Sequence, residues 1–209
     1  MHGASHDFSS FAVIPAAGKS RRMGRSKLLL PWGKGTVIET VLATWRDSHV
    51  NHILVVVDET DESPLGDLVA GCGCDVIRAD APPDMKASVL RALKEIQRRW
   101  SPRDHDAWLL APADFPTLNA TWIDTLLAEH DPRAPRPLVP WCDNRRGHPV
   151  LFPWLLAGAA RKLPDDSGIK GLLIDNPPRE IAVGDWSMFA EMNTPREYQR
   201  LKDHFHQEP

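Results

Sequence analysis

The sequence predicts an α/β fold in three layers: a mostly parallel sheet covered by helices on both sides, with a small antiparallel element in its second half. Three observations carry this. Short apolar runs at residues 11–14, 52–57, 76–77 and 107–111 alternate with stretches whose apolar residues recur at helical spacing, the pattern of βαβ units. The run at 52–57 is nearly all β-branched or aliphatic and has no polar face, as a strand covered on both sides requires. The 209 residues suit one such domain with a full core.

Taken in order, residues 1–10 are polar and lack an apolar signal core, so a tail and no export are expected. The strand at 11–14 empties into Ala16-Ala17-Gly18, where small residues let backbone amides approach a ligand. Five cations then fall within nine residues (Lys19, Arg21, Arg22, Arg25 and Lys27), with no acid between them. A turn at 31–35 leads to Thr36-Val37-Ile38-Glu39, a capping box. Val37, Ile38, Val41, Leu42 and Trp45 form the apolar face of the helix it opens. A short helix is expected at 63–71 with Pro64 in its first position. Another follows Pro82-Pro83, with Val89, Leu93, Ile96 and Trp100 on one stripe.

The strand at 107–111 places Asp114 just beyond its carboxyl end, and 121–129 reads as a helix. The second half is less regular. Strands are expected at 138–141 and 150–152 around a polar turn at 143–147, with Pro149 marking an edge or a strand start. Helices are expected at 154–163 and 169–173, separated by the acidic turn Asp165-Asp166-Ser167-Gly168, and a last strand at 181–183. Thr194-Pro195-Arg196-Glu197 is a second capping box opening a terminal helix.

The net charge of −3 argues against general nucleic-acid binding, since basicity is confined to residues 19–27. No run approaches the roughly 20 apolar residues of a membrane helix. Three cysteines, Cys72, Cys74 and Cys142, point to free thiols, and their spacing is not that of the usual zinc sites. Most of the eight tryptophans fall on apolar faces and read as core; Trp141 beside the expected hairpin is the one of interest.

Ligands of open α/β sheets bind beyond the carboxyl ends of the strands. The Gly18 loop and Asp114 should share that edge. A strand that ends in a small-residue, all-basic loop suits a polyphosphate, although neither the P-loop nor the dinucleotide spacing is present. A carboxylate facing such a loop makes sense with Mg²⁺ between them. The plainer alternatives are a solvated basic loop, a turn-capping Asp114 and a structural His148; Arg145 and Arg146 beside that histidine favour an anionic acceptor.

Residues 16–27 resemble the A-A-G-x-S-x-R-M-G-x-x-K motif of the small nucleotidyltransferases that act on molybdenum cofactor, matching at Ala16, Ala17, Gly18, Ser20, Arg22, Met23, Gly24 and Lys27. Asp114 and Pro116 fall on that family's G-D-Q-P, with Ala113 and Phe115 in place of its glycine and glutamine. Ser88 falls on its G-M-x-x-S, with Asp84 replacing the glycine. The run 146–152, R-G-H-P-V-L-F, is close to the family's own, Gly168 falls on its D-x-G-A-R turn, and Asn193-Thr194-Pro195 on its N-T-P.

The resemblance implies a Rossmann-like nucleotidyltransferase fold in a single NTP-transferase domain, 1–209, with a nucleotide-binding half at 11–130 and an acceptor half at 131–209. It implies a cytoplasmic, Mg²⁺-dependent enzyme that moves CMP from CTP to molybdopterin cofactor, with a molybdenum hydroxylase as a downstream partner and neither nucleic acid nor membrane. Arg22 and Lys27 would hold the triphosphate, and Asp114, assisted by Asn193, the metal. Ala16, Ala17, Gly18, Ser20 and Ser88 would line the nucleotide, and His148 the acceptor. Relatives that use GTP carry A-G-G where Ala16-Ala17-Gly18 stands, which favours CTP here. Transfer to a sugar phosphate or other phosphorylated acceptor, and a non-catalytic cofactor carrier, are the alternatives.

Overall fold

The computed structural model describes residues 7–18, 26–61, 64–80, 84–184, 190 and 192–205. In chain order, β1 (Ser10–Pro15) leads through a 3-10 turn at Lys27–Leu29 to a two-stranded hairpin, β2 (Pro31–Trp32) and β3 (Gly35–Thr36). The turn between them places Gly33 at φ 57°, a conformation glycine adopts without strain. There follow α1 (Val37–Asp47), β4 (His52–Asp58), α2 (Leu65–Gly71), β5 (Asp75–Ala79), α3 (Met85–Trp100), β6 (Ala107–Leu110) and α4 (Ala120–Glu129). The second half contains β7 (Leu138–Cys142), β8 (Arg145–Arg146), β9 (Val150–Pro153), α5 (Ala157–Ala160), α6 (Leu172–Asp175), β10 (Arg179–Ala182) and α7 (Pro195–Phe205).

The main sheet runs β10-β7-β9-β6-β1-β4-β5, with β8 hairpinned onto β7. β1 lies between β4 and β6, parallel to both, so Val13 stands opposite Leu54 on one side and Leu110 on the other. β9 alone in this path reverses direction, pairing antiparallel with β6 and β7. The alternating pleat of each central strand feeds two cores. Ala12, Ile14, Val55, Val57 and Leu109 face the cluster built with α1, α2, α4 and α7. Phe11, Val13, Leu54, Val56, Trp108 and Leu110 face the one built with α3, α5 and α6. The three-layer α/β architecture with a mostly parallel sheet and a small antiparallel element is therefore present.

Local chemistry explains most boundaries. At the start of α1 the Thr36 hydroxyl accepts from the Glu39 amide and the Glu39 carboxylate takes the Thr36 amide, as a capping box requires, and Val37, Ile38, Val41, Leu42 and Trp45 are all buried. The Asp84 carboxylate caps α3 by accepting from the Ala87 amide at 2.7 Å. Asp143 and Asn144 both take positive φ, 47° and 61°, making the two-residue turn that folds β8 back on β7.

Several expectations are corrected. The tail expected over residues 1–10 does not include Phe8, which is buried against the His130 ring, or Ser10, which already belongs to β1. Pro64 is the N-cap of α2, its ψ of 6° being outside the helical range, and the helix starts at Leu65. Pro149 marks a strand start but no edge, because β9 is flanked by β6 and β7. The polar turn at 143–147 is shorter than expected, since Arg145 and Arg146 return to the sheet.

The stretch 154–163 is a 3-10 turn followed by the four-residue α5. The Trp154 and Leu155 amides donate to the carbonyls of Asp106 and Asp104, at 2.6 and 3.1 Å, which settles the backbone path before a regular helix begins. At 169–173 a 3-10 turn likewise precedes α6, and a Cβ on Gly171 would meet Ser167 Oγ at 2.4 Å. A side chain there would require the Ser167 hydroxyl to turn away.

His130, after α4, is buried, with Nε2 donating to the His105 carbonyl at 2.7 Å and Nδ1 buried without a hydrogen-bond partner. Burial holds its imidazole below the usual histidine range. The unfolded chain therefore takes up a proton there that the folded chain resists, so stability falls as pH drops through about 6.5. His130→Phe should show a shallower loss of melting temperature between pH 7.5 and 5.5 than the wild type, as read by thermal melts across that window. Parallel losses in the two proteins would contradict this assignment.

Candidate active site at the carboxyl edge of the sheet

β1, β4, β5, β6, β7 and β10 run in one direction, so their carboxyl ends share one edge. The segments leaving β1 and β6 are tied together there. The Ala113 amide donates to the Pro15 carbonyl at 3.4 Å, and Ala113 and Phe115 are buried on either side of Asp114.

Three of the expected site residues meet at this edge. Lys27 Nζ is ion-paired with Asp114 Oδ2, across 87 positions of sequence. It also donates to Asn193 Oδ1 at 3.3 Å, across 166 positions. Each is fixed by its own neighbourhood. Lys27 opens a 3-10 turn anchored by buried Leu28 and Leu30. Asn193 follows fully buried Met192, and its amide donates to Glu197 Oε2 at 2.9 Å, while Thr194 Oγ1 accepts from the Glu197 amide at 3.2 Å. The expected second capping box thus reaches one residue further back and holds Asn193 at the head of α7.

The Asp114 side chain is 11% exposed, and its second oxygen, Oδ1, is buried without a hydrogen-bond partner. Leaving an acceptor buried and unmatched costs about 1–3 kcal/mol, more for a charged group. A carboxylate oxygen in that state has capacity for a cation or a donor brought by a ligand.

The remaining expected residues are placed less uniformly. Ser20 and Arg22, with Lys19, Arg21 and Arg25, lie outside the described residues. Ala16 is buried and its amide donates to the Val56 carbonyl at 2.8 Å, extending the sheet. Its amide is therefore not turned to a ligand as the sequence suggested. Gly18 is exposed, and a Cβ built on it would meet nothing within 4 Å. Ser88 is buried in the first turn of α3, its hydroxyl donating to the Asp84 carbonyl at 3.3 Å, so it lies beneath the surface it was expected to line. His148 is half-buried. Its Nδ1 donates to the Leu110 carbonyl at 3.2 Å, and its ring meets Phe115 edge-on at 5.2 Å.

Two contributors were not legible as site residues. Phe115, read only as a departure from a motif, supports His148, and Glu197, read as a helix cap, positions Asn193. Arg146 is committed to Glu180, its Nε and Nη2 donating at 3.0 and 2.9 Å, and Trp141 is half-buried opposite it. The cysteines are thiols; burial, then Cys72, pushes Cys74 up to about 11. Among the described residues no group of three or more His, Cys, Asp or Glu could hold a metal ion, and no helix is long and apolar enough to cross a membrane.

The profile of the MobA-like NTP transferase domain matches residues 12–180. A molybdenum cofactor guanylyltransferase of Xanthomonas euvesicatoria is 25% identical over 199 residues, 90% of this chain and 92% of that protein. A molybdenum cofactor cytidylyltransferase of Escherichia coli is 24% identical over 197 residues, 92% of this chain and 95% of that protein. A 2-C-methyl-D-erythritol 4-phosphate cytidylyltransferase of Parasynechococcus marenigrum is 40% identical over 84 residues, but the match spans only 39% of this chain and 37% of that protein. Among solved structures, Rv0371c of Mycobacterium tuberculosis superposes with a TM-score of 0.77 at 24% identity, covering 95% of this chain and 100% of its own. Its manganese complex gives 0.73 at 23%, covering 94% and 98%. At such identities the structural likeness speaks for the fold alone.

Removing one partner of the Lys27–Asp114 pair strands the other. Lys27→Met should destabilise the protein by about 1–3 kcal/mol, below the usual cost of breaking a fully buried pair because water reaches both side chains. Adding Asp114→Asn to it should restore most of that loss. Urea titrations of the two single variants and the double variant would measure this, and additive losses would show that the two charges do not interact.

Proposed function

The chain belongs to the MobA-like NTP transferase family and is a nucleotidyltransferase, and we propose that it transfers CMP from CTP to the terminal phosphate of molybdopterin cofactor in the cytoplasm, with Mg²⁺ as its metal. The observation that carries this reading is the meeting of Lys27, Asp114 and Asn193 beyond the carboxyl ends of β1 and β6.

The donor set fits the metal. Asp114 and Asn193 offer oxygens only, which suit a hard cation that takes one or two carboxylates plus phosphate oxygens. The buried, unmatched Oδ1 of Asp114 is an acceptor not otherwise engaged. When bound, Mg²⁺ supplies charge neutralisation on the triphosphate.

The residues of the chain do the positioning. An anionic oxygen of the acceptor phosphate attacks the α-phosphorus. The new P–O bond forms as the bond to the bridging oxygen of the β-phosphate breaks, and the electron pair leaves with pyrophosphate. The attacking oxygen carries no proton, so no general base is needed and catalysis rests on orientation and charge. Lys27, with Arg22 of the basic loop, holds the phosphates; one such donor typically contributes about 2.7–4 kcal/mol in the transition state. Ala17 and Gly18 face the nucleotide, and Gly18 leaves open space for its approach. His148 and the β7–β8 hairpin serve the acceptor. With the enzyme class established, the carrier alternative falls.

CTP over GTP rests on Ala17. Its methyl leaves less room against the base than the glycine of A-G-G, favouring a pyrimidine by about 1–3 kcal/mol. The second reading, transfer to a sugar phosphate, draws support from the local 40% identity to the methylerythritol phosphate enzyme. One assay separates these. Pyrophosphate release with molybdenum cofactor as acceptor should give a higher kcat/KM for CTP than for GTP. Equal values or a GTP preference would overturn the cytidylyl assignment. Turnover with methylerythritol phosphate in place of the cofactor would select the second reading.

A further inference from the structure

The terminal helix α7 meets the segment that carries Lys27 at two places. Asn193, two residues before the helix, accepts from Lys27 Nζ at 3.3 Å. Further on, in the fourth residue of α7, the Tyr198 hydroxyl donates to the Pro31 carbonyl at 2.6 Å, across 167 positions of sequence. We propose that Tyr198 is a positioning residue, whose hydroxyl fixes the 27–31 segment against α7 so that the Lys27 ammonium meets Asp114 and Asn193. This rests on the nucleotidyl transfer proposed for the site and adds to it a residue that acts through Lys27.

The two contacts close a ring with short arms. From Lys27 the chain runs through a 3-10 turn, in which the Leu30 amide donates to the Lys27 carbonyl at 3.3 Å, and Pro31 follows at once. From Asn193 the chain enters α7, where the Thr194 hydroxyl accepts from the Glu197 amide at 3.2 Å and the Thr194 carbonyl from the Tyr198 amide at 3.0 Å. Each arm is hydrogen-bonded within itself, which leaves little slack between Pro31 and Lys27. A displacement where the hydroxyl holds Pro31 is therefore carried to the ammonium.

The hydroxyl supplies a register that packing alone does not. Trp32 is buried, with its ring centroid 6.3 Å from that of Tyr198 and 6.4 Å from that of Phe205. Such apolar contact holds the β2–β3 hairpin to the helix but is non-directional. A hydrogen bond is directional, and this one selects a single placement of Pro31 along α7. The precision matters because a cation on a transferring phosphate works by position, and a shift of about 1 Å in a catalytic group can cost about 10²-fold. A side chain whose own packing is locked is suited to supporting such a group; the Tyr198 ring is buried.

Tyr198→Phe removes the hydroxyl and keeps the buried ring, so its melting temperature should stay within a few degrees of wild type. With CTP, Mg²⁺ and molybdenum cofactor, its kcat should fall about tenfold while the KM for CTP stays within about twofold, the split expected when an interaction made in the transition state is weakened. The same change made in Lys27→Met should lower kcat by less than about twofold, because the residue through which it acts is gone. In the nucleotide-free protein, the Lys27 ¹⁵Nζ resonance should shift on Tyr198→Phe, a readout that needs no substrate. An unchanged kcat, a loss of equal size in the Lys27→Met background, or an unmoved Lys27 resonance would overturn the proposal. Failure of the molybdenum cofactor reading would show instead as absent turnover in the wild type, with the Lys27 shift still present.

Discussion

The ion pair between Lys27 and Asp114 is the contact on which the site depends. Either charge left alone in a position so little exposed would be costly. The pair exists because β1 and β6 are parallel neighbours in register, Val13 opposite Leu110, so the segments that leave them run side by side. Asn193 joins from the head of α7, where Glu197 fixes its backbone. A carboxylate, an ammonium and an amide from three distant parts of the chain thereby converge on one point.

The exit from β6 also serves a second purpose. Asp114 turns to Lys27, while its neighbour Phe115 packs against the His148 ring. Two consecutive residues thus link the part of the site nearest the basic loop with the part nearest the β7–β8 hairpin. The buried flanks, Ala113 and Phe115, make this a rigid junction in which small displacements at one side would be felt at the other.

Much of this was legible from local pattern. The apolar runs of β1, β4 and β6, the Thr36–Glu39 box and the stripe of α3 are determined within a few residues, and they formed where the periodicity placed them. What local pattern missed was decided by distant partners. The start of the stretch at 154–163 is tied to carbonyls of Asp104 and Asp106, and Pro149 is enclosed because β9 inserts between β6 and β7. The site divides in the same way. Lys27, Asp114 and Asn193 stand in recognisable motifs, whereas the roles of Phe115 and Glu197, and the engagement of the Ala16 amide by Val56, depend on pairings no spacing rule contains.

On the proposed function, Asp114 and Asn193 would exchange Lys27 for the metal ion once a nucleotide arrives. Manganese, whose bound form is visible by electron paramagnetic resonance, tests it directly in the presence of a non-hydrolysable CTP analogue. One Mn²⁺ should bind the wild type only with the nucleotide present, with affinity falling about tenfold or more in Asp114→Asn and less in Asn193→Ala, as expected for losing a charged and a neutral oxygen ligand respectively. Nucleotide-dependent Mn²⁺ binding that is equally tight in all three proteins would contradict the claim.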